Sequence, residues 1–378
     1  MIKLFVTGDN HIGINYNSMP HLKQELIESR FETLERMVKK ADEVNCDLFL
    51  VTGDLFDKVT GITKEFVKRT ADILSTFGGD VVIIPGNHDY YTEGVDIWKK
   101  FDQVKGSNTI LLNKYEEYPI TVGDNKVVFY PAFCDSKNSE NNKLDWIKSS
   151  VMDSNAYNIG MAHGAVEGIT PDTKKQYFYM SRSELDAIPV DVWLIGHTHL
   201  QYPDNLSEDK DIEGYRIFNA GTHEQEDLGD NTEGVGFIIT LDKQSSGTKV
   251  LARKFVSGKF RFVRNIIAMT PASSTTLKDE FDALKEKYGS NYIVDVILKG
   301  VVKPDEFADR QKIYDDFESA VKYLQVNDDD LCEEITSAKI REEYAETSFA
   351  AMFLEKLIEE DDPATLQIAY DLVKDCQE

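Results

Sequence analysis

Five short apolar segments in the first 200 residues each end at a small residue and are followed at once by a polar cluster. The clusters begin at Asp9, Asp54, Asn87, His163 and His197. Segments this short and this apolar are typical of β-strands that are buried on both faces of a sheet. This pattern restricts the fold more than any other feature, because it predicts a sheet whose strand ends carry the chemistry.

Helical patterns separate the first three of these segments. Apolar residues recur at spacings of three and four over residues 22–41 and again over residues 66–77. The order strand, helix, strand, helix, strand predicts an α/β fold with a mostly parallel central sheet covered by helices. Ligands bind beyond the carboxyl ends of the strands in such sheets, so we expect all five clusters at the same end of one sheet.

From residue 212 onward the sequence shows other patterns of secondary structure. Period-two alternation over residues 212–264 predicts an antiparallel layer that closes a sandwich on the first sheet. Thr276 and Asp279 resemble a capping box, and the helix that they begin precedes a strand, a second helix and a short strand near Leu324. After the acidic triplet at 328–330 the pattern is helical. The predicted domains are therefore a catalytic domain at 1–264, a small α+β domain at 265–330 and a helical tail at 331–378.

The polar clusters carry side chains that bind divalent cations. Five of the seven histidines lie in them, beside aspartate and asparagine. Imidazole with carboxylate suits manganese, iron or zinc, and the lack of cysteine in the clusters argues against a purely structural zinc site. Any single cluster is better explained as an ordinary turn after a strand. Taken together, the five clusters favour a joint site, and two ions about 3.5–4 Å apart would suit in-line displacement at phosphorus.

The clusters resemble the signature of the calcineurin-like metallophosphoesterases in residue type, order and spacing. The matching motifs are Asp9-x-His11, Gly53-Asp54-x-x-Asp57, Gly86-Asn87-His88-Asp89, Ala162-His163-Gly164 and Gly196-His197-x-His199. The resemblance covers about residues 1–225 and implies a four-layer α/β/β/α sandwich with a metal-dependent phosphodiester hydrolase site. It also implies two divalent metal ions. Manganese is the expected metal, and iron, zinc or magnesium are the alternatives.

The resemblance also assigns roles to individual residues. The ligands of one ion would be Asp9, His11, Asp54 and His199. The ligands of the other would be Asp54, which bridges the two, with Asn87, His163 and His197. His88 would bind neither ion and would donate a proton or a hydrogen bond to the leaving oxygen. Asp57 is similar to the carboxylate that orients and charges that histidine.

Two motifs narrow the resemblance to one branch of this superfamily. Gly53-Asp54-Leu55-Phe56-Asp57 and Pro85-Gly86-Asn87-His88-Asp89 are similar to the SbcD nucleases, whose archaeal and eukaryotic relatives act in double-strand-break repair. Archaeal relatives carry histidine where Asp57 stands, and bacterial members carry the aspartate. The resemblance implies a manganese-dependent DNA exonuclease or endonuclease that acts in DNA repair and recombination.

That branch also implies partners. Residues 265–330 are similar to its DNA-facing capping domain, and the helical tail is where such proteins dock on the coiled coil of an SbcC-type ATPase. The helices at 21–43 and 62–77 flank the metal motifs, and the resemblance implies a homodimer through such helices. We therefore expect DNA, an ATPase and a second copy of the chain as partners.

Net charge bears on the choice of substrate. The chain carries −25, of which −14 lies in residues 301–378, whereas phosphate contacts need lysine and arginine. The stretch from Lys249 to Arg264, here called the basic segment, holds six cations and no acid. We expect DNA contact there or at the mouth of the site, with a solvated hairpin face as an equal alternative. The acidity favours the alternative function, a small-molecule or phosphoprotein phosphoesterase.

The remaining signals are weaker. Tyr90 and Tyr91 follow His88 and suit either stacking on a base or simple packing. His223 lies on a loop after a strand, where it either lines the site or fills the loop. Four widely spaced cysteines, no leader pattern and no long apolar run predict a cytoplasmic protein without a membrane segment.

Overall fold

The computed structural model describes residues 1–230, 232–360 and 363–376. The chain divides into two compact units, Met1–Phe262 and Val263–Glu378. The strands of the first unit are β1 (Ile2–Thr7), β2 (Leu48–Val51), β3 (Asp80–Ile83), β4 (Thr109–Leu111), β5 (Tyr118–Val122), β6 (Asn125–Ala132), β7 (Tyr157–His163), β8 (Val192–Gly196), β9 (Ile212–Glu213), β10 (Ile217–Asn219), β11 (Val235–Gln244) and β12 (Gly247–Val256). Its helices are α1 (Lys23–Glu43), α2 (Lys64–Ser75), α3 (Asp96–Asp102), α4 (Asp145–Lys148) and α5 (Arg182–Ala187).

The first unit contains two sheets. One has seven strands in the order β4-β3-β2-β1-β11-β12-β9, in which β1 to β4 are parallel and the rest antiparallel. The other has five strands in the order β10-β8-β7-β6-β5, parallel except for the β5–β6 hairpin. The antiparallel β5–β6 hairpin begins this second sheet.

The inner faces of the two sheets bury one apolar core. Leu4 of β1 and Leu50 of β2 share it with Phe129 of β6 and Met161 of β7. Helices α1, α2 and α3 cover the outer face of the first sheet, and α4 and α5 pack on the outer face of the second. Alternate residues of buried strands point to opposite faces, which explains why these strands are apolar throughout. The predicted four-layer α/β/β/α sandwich is confirmed.

Two details of the sequence-based fold prediction are wrong. The five polar clusters do not share one sheet: three follow strands of the first sheet, whereas those at His163 and His197 follow β7 and β8 of the second. The 212–264 strands do not form a separate layer either. Strand β11 pairs antiparallel with β1 and so extends the first sheet, because Phe237 and its alternate neighbours complete the same inner core.

The second unit is built on a three-stranded sheet. Its strands are β13 (Arg261–Met269), β14 (Tyr292–Val302) and β15 (Tyr323–Glu333), in that order. Its helices are α6 (Leu277–Lys287), α7 (Pro304–Glu318), α8 (Ser337–Glu343), α9 (Phe349–Glu359) and α10 (Pro363–Asp375). Helices α6 and α7 share a core with the sheet, and α8 to α10 gather around a smaller apolar cluster.

Strand β15 corrects another prediction. The expected short strand near Leu324 is eleven residues long and runs through the acidic triplet at 328–330. It pairs in parallel with β14, and Asn327 and Asp330 of β15 lie opposite Ile297 and Lys299, so β15 carries one extra residue within the acidic stretch. Among the described residues, no helix combines the length and apolarity that crossing a membrane requires.

Candidate metal centre

The sandwich brings all nine predicted site residues together at one end of the first unit. Those of the first sheet follow β1, β2 and β3, and those of the second sheet end β7 or follow β8. Because the two sheets face each other, their carboxyl ends form the two sides of one site. The residues are Asp9, His11, Asp54, Asp57, Asn87, His88, His163, His197 and His199.

The turns that carry these residues have unusual backbone conformations. Asp9, His11 and Asp54 have φ values of 47°, 43° and 51°, and His197 has 104°. Positive φ is uncommon outside glycine and clusters at functional sites, where the surrounding structure holds it. Here the backbone N–H of Asp9 donates to Gly53 O at 3.0 Å, and that of His11 to Asp54 O at 2.9 Å. The turn after β1 and the turn after β2 therefore hold each other in place through backbone hydrogen bonds.

Position 86 requires glycine because its backbone lies very close to Asp54. A Cβ added there would lie 2.2 Å from Asp54 Oδ1 and 2.3 Å from the Asp54 backbone nitrogen. Any side chain would therefore displace the Asp54 carboxylate. The Gly-Asn-His-Asp motif thus begins with glycine because the third turn packs directly on the second.

One group of donors is formed by Asp9, His11 and His199. Their ligand atoms lie within 4.8 Å of one another. Nε2 of His11 faces Nε2 of His199 at 3.3 Å, and Asp54 Oδ2 lies 3.7 Å from the same His11 atom. The Asp9 carboxylate accepts from the backbone N–H of His197 at 3.0 Å through either oxygen.

A second group surrounds Asn87. Its Oδ1 lies 2.9 Å from His163 Nε2 and 3.0 Å from His197 Nδ1. Asp54 Oδ2 lies 3.2 Å from His163 Nε2, so this carboxylate contacts both donor groups.

These donors fit two divalent cations. Asp9, Asp54 and His163 form another set of ligand atoms within 4.8 Å, which overlaps the set of Asp9, His11 and His199. Imidazole, carboxylate and amide oxygens are ligands that manganese, iron and zinc accept, whereas magnesium prefers oxygen. The two sets share Asp9, and Asp54 Oδ2 of one set lies 3.7 Å from His11 Nε2 of the other, so the sets lie side by side.

Burial and mutual attraction shift the pKa values of the candidate ligands. Burial opposes ionisation of Asp54, but the neighbouring His163 outweighs it and holds the pKa of that carboxyl well below its ordinary value. Burial likewise opposes protonation of His163, and attraction by Asp54 raises its pKa to about 9. In contrast, burial and the charge of His163 lower the pKa of His197 to about 3. Protons on the buried imidazoles thus balance the carboxylates that divalent ions would neutralise.

His88 lies at the edge of the site. Its Nδ1 is 2.9 Å from the backbone carbonyl oxygen of Asp57, and its ring stands perpendicular to that of His11 at 4.6 Å. The Asp57 carboxylate instead lies 3.6 Å from His11 Nδ1 and 3.7 Å from Lys58 Nζ. Asp57 therefore contacts His88 through its main chain and His11 through its side chain.

Asp89 joins two of the metal-binding turns. Its buried carboxylate accepts from the backbone N–H of Gly86 at 2.6 Å and from that of Phe56 at 3.0 Å. Burial, together with the charge of Asp54, raises the pKa of Asp89 to about 7. Sequence analysis placed this residue within a motif but gave it no role.

Asp89→Asn is expected to destabilise the first unit by about 1–3 kcal/mol, because the amide leaves one of two buried N–H groups without an acceptor. Urea unfolding at a pH below the raised pKa of about 7 measures the effect, because the burial cost of the ionised carboxylate is then absent from the wild type. The matched control is Asp124→Asn, an exposed carboxylate in the β5–β6 turn. Equal unfolding midpoints for the two variants would contradict the role.

Sequence analysis did not identify Arg30 or Asp230, which contact the residues of the site from behind. The guanidinium of Arg30 is buried and donates to the backbone carbonyl of Asn10 at 2.6 and 2.9 Å, and to Glu226 at 3.0 Å. The carboxylate of Asp230 lies 3.1 Å from His199 Nδ1. A charged residue within the apolar stripe of α1 was a signal for Arg30, whereas no motif marks Asp230.

Two of the weaker candidates, His223 and Tyr91, make contacts that do not involve the candidate metal ligands. His223 is buried, and its Nε2 lies 3.0 Å from the backbone carbonyl of Arg30. Tyr91 packs against the apolar core and contacts Phe133 edge to face at 6.3 Å. These two residues therefore have packing roles.

The basic segment is neutralised by acids from other parts of the chain. Such pairs are weak at a surface, but they occupy the cations that a phosphate would need. The pairs are Lys249 with Glu213, Arg253 with Asp211, Lys254 and Arg261 with Glu233, Lys259 with Glu32, and Arg264 with Asp295, at 2.6–3.9 Å.

Comparison with known proteins identifies a family for the part of the chain that contains these residues. A family model described as calcineurin-like phosphoesterase matches residues 2–201, more than half of the chain. A search of curated proteins finds no match to this sequence.

Several solved structures are similar. The calcineurin-like phosphoesterase YfkN from Bacillus subtilis is 14% identical, with a TM-score of 0.40 over 68% of this chain and 90% of its own. A dimetal phosphatase from Danio rerio is 10% identical, with a TM-score of 0.37 over 68% and 99%. The protein TT1561 of Thermus thermophilus is 11% identical, with a TM-score of 0.36 over 63% and 93%.

Proposed function

Since this chain belongs to the calcineurin-like phosphoesterase family, we propose that it is a two-metal phosphodiesterase whose substrate is DNA, with manganese as the metal. The observation that carries the proposal is the position of Asp54, whose carboxylate contacts the His11 group and the His163 group at once. SbcD-type motifs around Asp54 and His88 support DNA as the substrate.

The chain's own residues have separate tasks in this hydrolysis. Asp9, His11, Asp54 and His199 would hold one ion, and Asp54, Asn87, His163 and His197 the other. When bound, the two ions supply charge stabilisation to the attacking and leaving oxygens. His88 donates its Nδ1–H to the Asp57 carbonyl, which fixes the plane of the ring, and with a second proton on Nε2 it would donate that proton or a hydrogen bond to the leaving sugar oxygen.

A surface beside the metal ligands supports a nucleic acid as substrate. Tyr177 is 37% exposed, and its ring stacks on His197 with centroids 5.1 Å apart. Its loop is bridged to Ser139, and Lys137, Lys174 and Lys175 lie exposed on the two bridged loops. Stacked aromatics with nearby cations are the usual means of holding single-stranded nucleic acid.

Tyr177→Ala is expected to raise KM for DNA about 5–100-fold, because the loss of one base–aromatic stack costs about 1–3 kcal/mol. Tyr177→Phe keeps the ring and is the matched control. Steady-state cleavage of a labelled oligonucleotide measures both variants. If alanine and phenylalanine had equal effects on KM, stacking by Tyr177 would be excluded.

The neutralised basic segment favours a second candidate function. With its six cations paired, the basic segment offers little free positive charge to a phosphate backbone, and together with the net charge of −25 this suits a small phosphodiester or a phosphoprotein. Incubation with Mn2+, linear duplex DNA and bis-p-nitrophenyl phosphate separates the candidates. The DNA nuclease cleaves both substrates, whereas the alternative enzyme releases the dye and leaves the DNA intact.

The helical tail supports a protein partner for the nuclease. Helices α9 and α10 expose Phe349, Met352, Ile368 and Leu372, with Phe349 at 77%. Phe349, Ile368 and Leu372 line a groove of about 570 Å³, and the tail as a whole is strongly acidic. We propose the coiled coil of an SbcC-type ATPase, with basic residues beside its apolar stripe, as the occupant. A homodimer through α1 and α2 belongs to the same proposal.

A further inference from the structure

Asp230 stands outside every motif of the sequence, yet it contacts one of the candidate metal ligands. Its Oδ1 lies 3.1 Å from Nδ1 of His199, and the two side chains are only 9% and 27% exposed. The opposite ring nitrogen of His199, Nε2, faces His11 Nε2 at 3.3 Å. The imidazole thus has a carboxylate on one side and the donor group on the other.

The Asp230 carboxylate is held in place by its own loop. Oδ2 accepts the backbone N–H of Glu226 at 2.7 Å, and Glu226 Oε1 pairs with the buried Arg30 at 3.0 Å. Arg30 also donates to the carbonyl of Asn10, which lies between Asp9 and His11 in the chain. The orientation of Asp230 is therefore coupled to the turn that carries the other ligands.

Hydrogen bonding at one ring nitrogen decides what the other can do. A histidine that donates its Nδ1–H to a carboxylate presents the lone pair of Nε2 and becomes a more basic ligand. We propose that Asp230 is a positioning residue that fixes His199 in this way and makes the position of Asp9, His11, Asp54 and His199 the tighter of the two metal positions. The inference depends on the two-metal part of the proposed function and not on DNA as the substrate.

At the other metal position, no carboxylate faces the Nδ1 atom of either histidine in the contacts that the structure shows for the described residues. Nδ1 of His163 faces the backbone carbonyl of Thr52 at 2.8 Å, a neutral acceptor. Nδ1 of His197 faces Asn87 Oδ1, which is itself a candidate ligand atom. A carboxylate raises the basicity of an imidazole more than a carbonyl does, so the first position is expected to fill at lower metal concentration.

Calorimetric titration of the metal-free full chain with Mn2+ tests this inference. Wild type is expected to bind two ions in two steps. In Asp230→Asn the amide oxygen can still accept the Glu226 N–H, but the NH2 group faces His199 Nδ1 and favours the wrong tautomer. The tighter step is then expected to weaken about 10–100-fold, while the weaker step keeps its affinity.

The matched control is Asp227→Asn on the same loop. Asp227 is exposed, and its Oδ1 accepts the Gly229 N–H at 2.6 Å, which an amide oxygen can also do. The control removes the same charge without touching His199, so both steps are expected to keep their affinity. Equal weakening in the two variants, or wild-type affinity in Asp230→Asn, would overturn the positioning role.

A spectroscopic measurement on the wild-type protein tests the same inference without a variant. In zinc-loaded, 15N-histidine-labelled wild type, the proton of His199 is expected on Nδ1, and its presence on Nε2 instead would overturn the inference. Failure of the proposed nuclease has a different signature: wild type would bind two ions with the expected asymmetry and leave DNA uncut. The two outcomes are therefore distinguishable.

Discussion

Replacement of Asp54 by alanine is expected to lower the hydrolysis of DNA and of bis-p-nitrophenyl phosphate by about 10³-fold or more. The carboxylate lies 3.2 Å from His163 Nε2 and 3.7 Å from His11 Nε2, so its loss weakens both metal positions. Metal ions stabilise the transition state by several kcal/mol, and about 4 kcal/mol corresponds to about 10³ in rate. Both substrates lose activity alike because the ions act on the phosphorus centre that they share.

Metal stoichiometry separates this effect from misfolding. Asp54 Oδ1 also accepts the backbone N–H of His88 at 2.7 Å, so alanine removes a turn contact as well as a ligand. Asp54→Asn keeps an acceptor for that N–H and is the matched variant. Calorimetry with Mn2+ is expected to show fewer than two bound ions in both variants. Two ions bound at wild-type affinity, with activity within tenfold of wild type, would refute the bridging role.

The strand-end motifs show how far sequence can define a site. Residue type and spacing selected five clusters, and the family resemblance selected within them nine residues that lie at one end of one sandwich. Such motifs are local, since each turn must present its ligand directly after a buried strand. The close packing of Gly86 on Asp54 shows why small residues recur beside the ligands.

Contacts between distant segments could not be predicted in the same way. Asp230 reaches His199 from a loop 31 residues further along the chain. Each cation of the basic segment likewise pairs with an acid outside the segment, as Lys259 does with Glu32. A run of lysine and arginine in the sequence gives the local charge, but only the fold brings the neutralising acids beside it.

Strand pairing was the other limit of prediction. Alternation over residues 235–256 correctly indicates two strands, but side-chain period does not specify which neighbour a strand pairs with. Strand β11 joins β1 rather than the second sheet, and the acidic triplet at 328–330 lies within β15. Partial exposure along β15 explains how an edge strand tolerates these acids.

His88 is expected to show a different pattern of loss from the metal ligands. In His88→Ala the kcat for DNA should fall about 10²–10⁴-fold, the usual contribution of a positioned general acid. Bis-p-nitrophenyl phosphate should lose far less, because its nitrophenolate leaving group departs without needing a proton. Both Mn2+ ions should still bind, since His88 contacts the Asp57 carbonyl and is a ligand of neither ion in the proposed scheme.

Asp57→Asn is the informative comparison for His88. It retains the backbone carbonyl that lies 2.9 Å from His88 Nδ1 and changes only the carboxylate near His11. If Asp57 acts through its carbonyl, the DNA-specific loss in Asp57→Asn is smaller than in His88→Ala. If His88→Ala instead slowed both substrates equally, His88 would be acting on the metal site or the phosphorus centre. Parallel kcat measurements on the two substrates therefore test whether proton donation to the sugar oxygen is the task of this histidine.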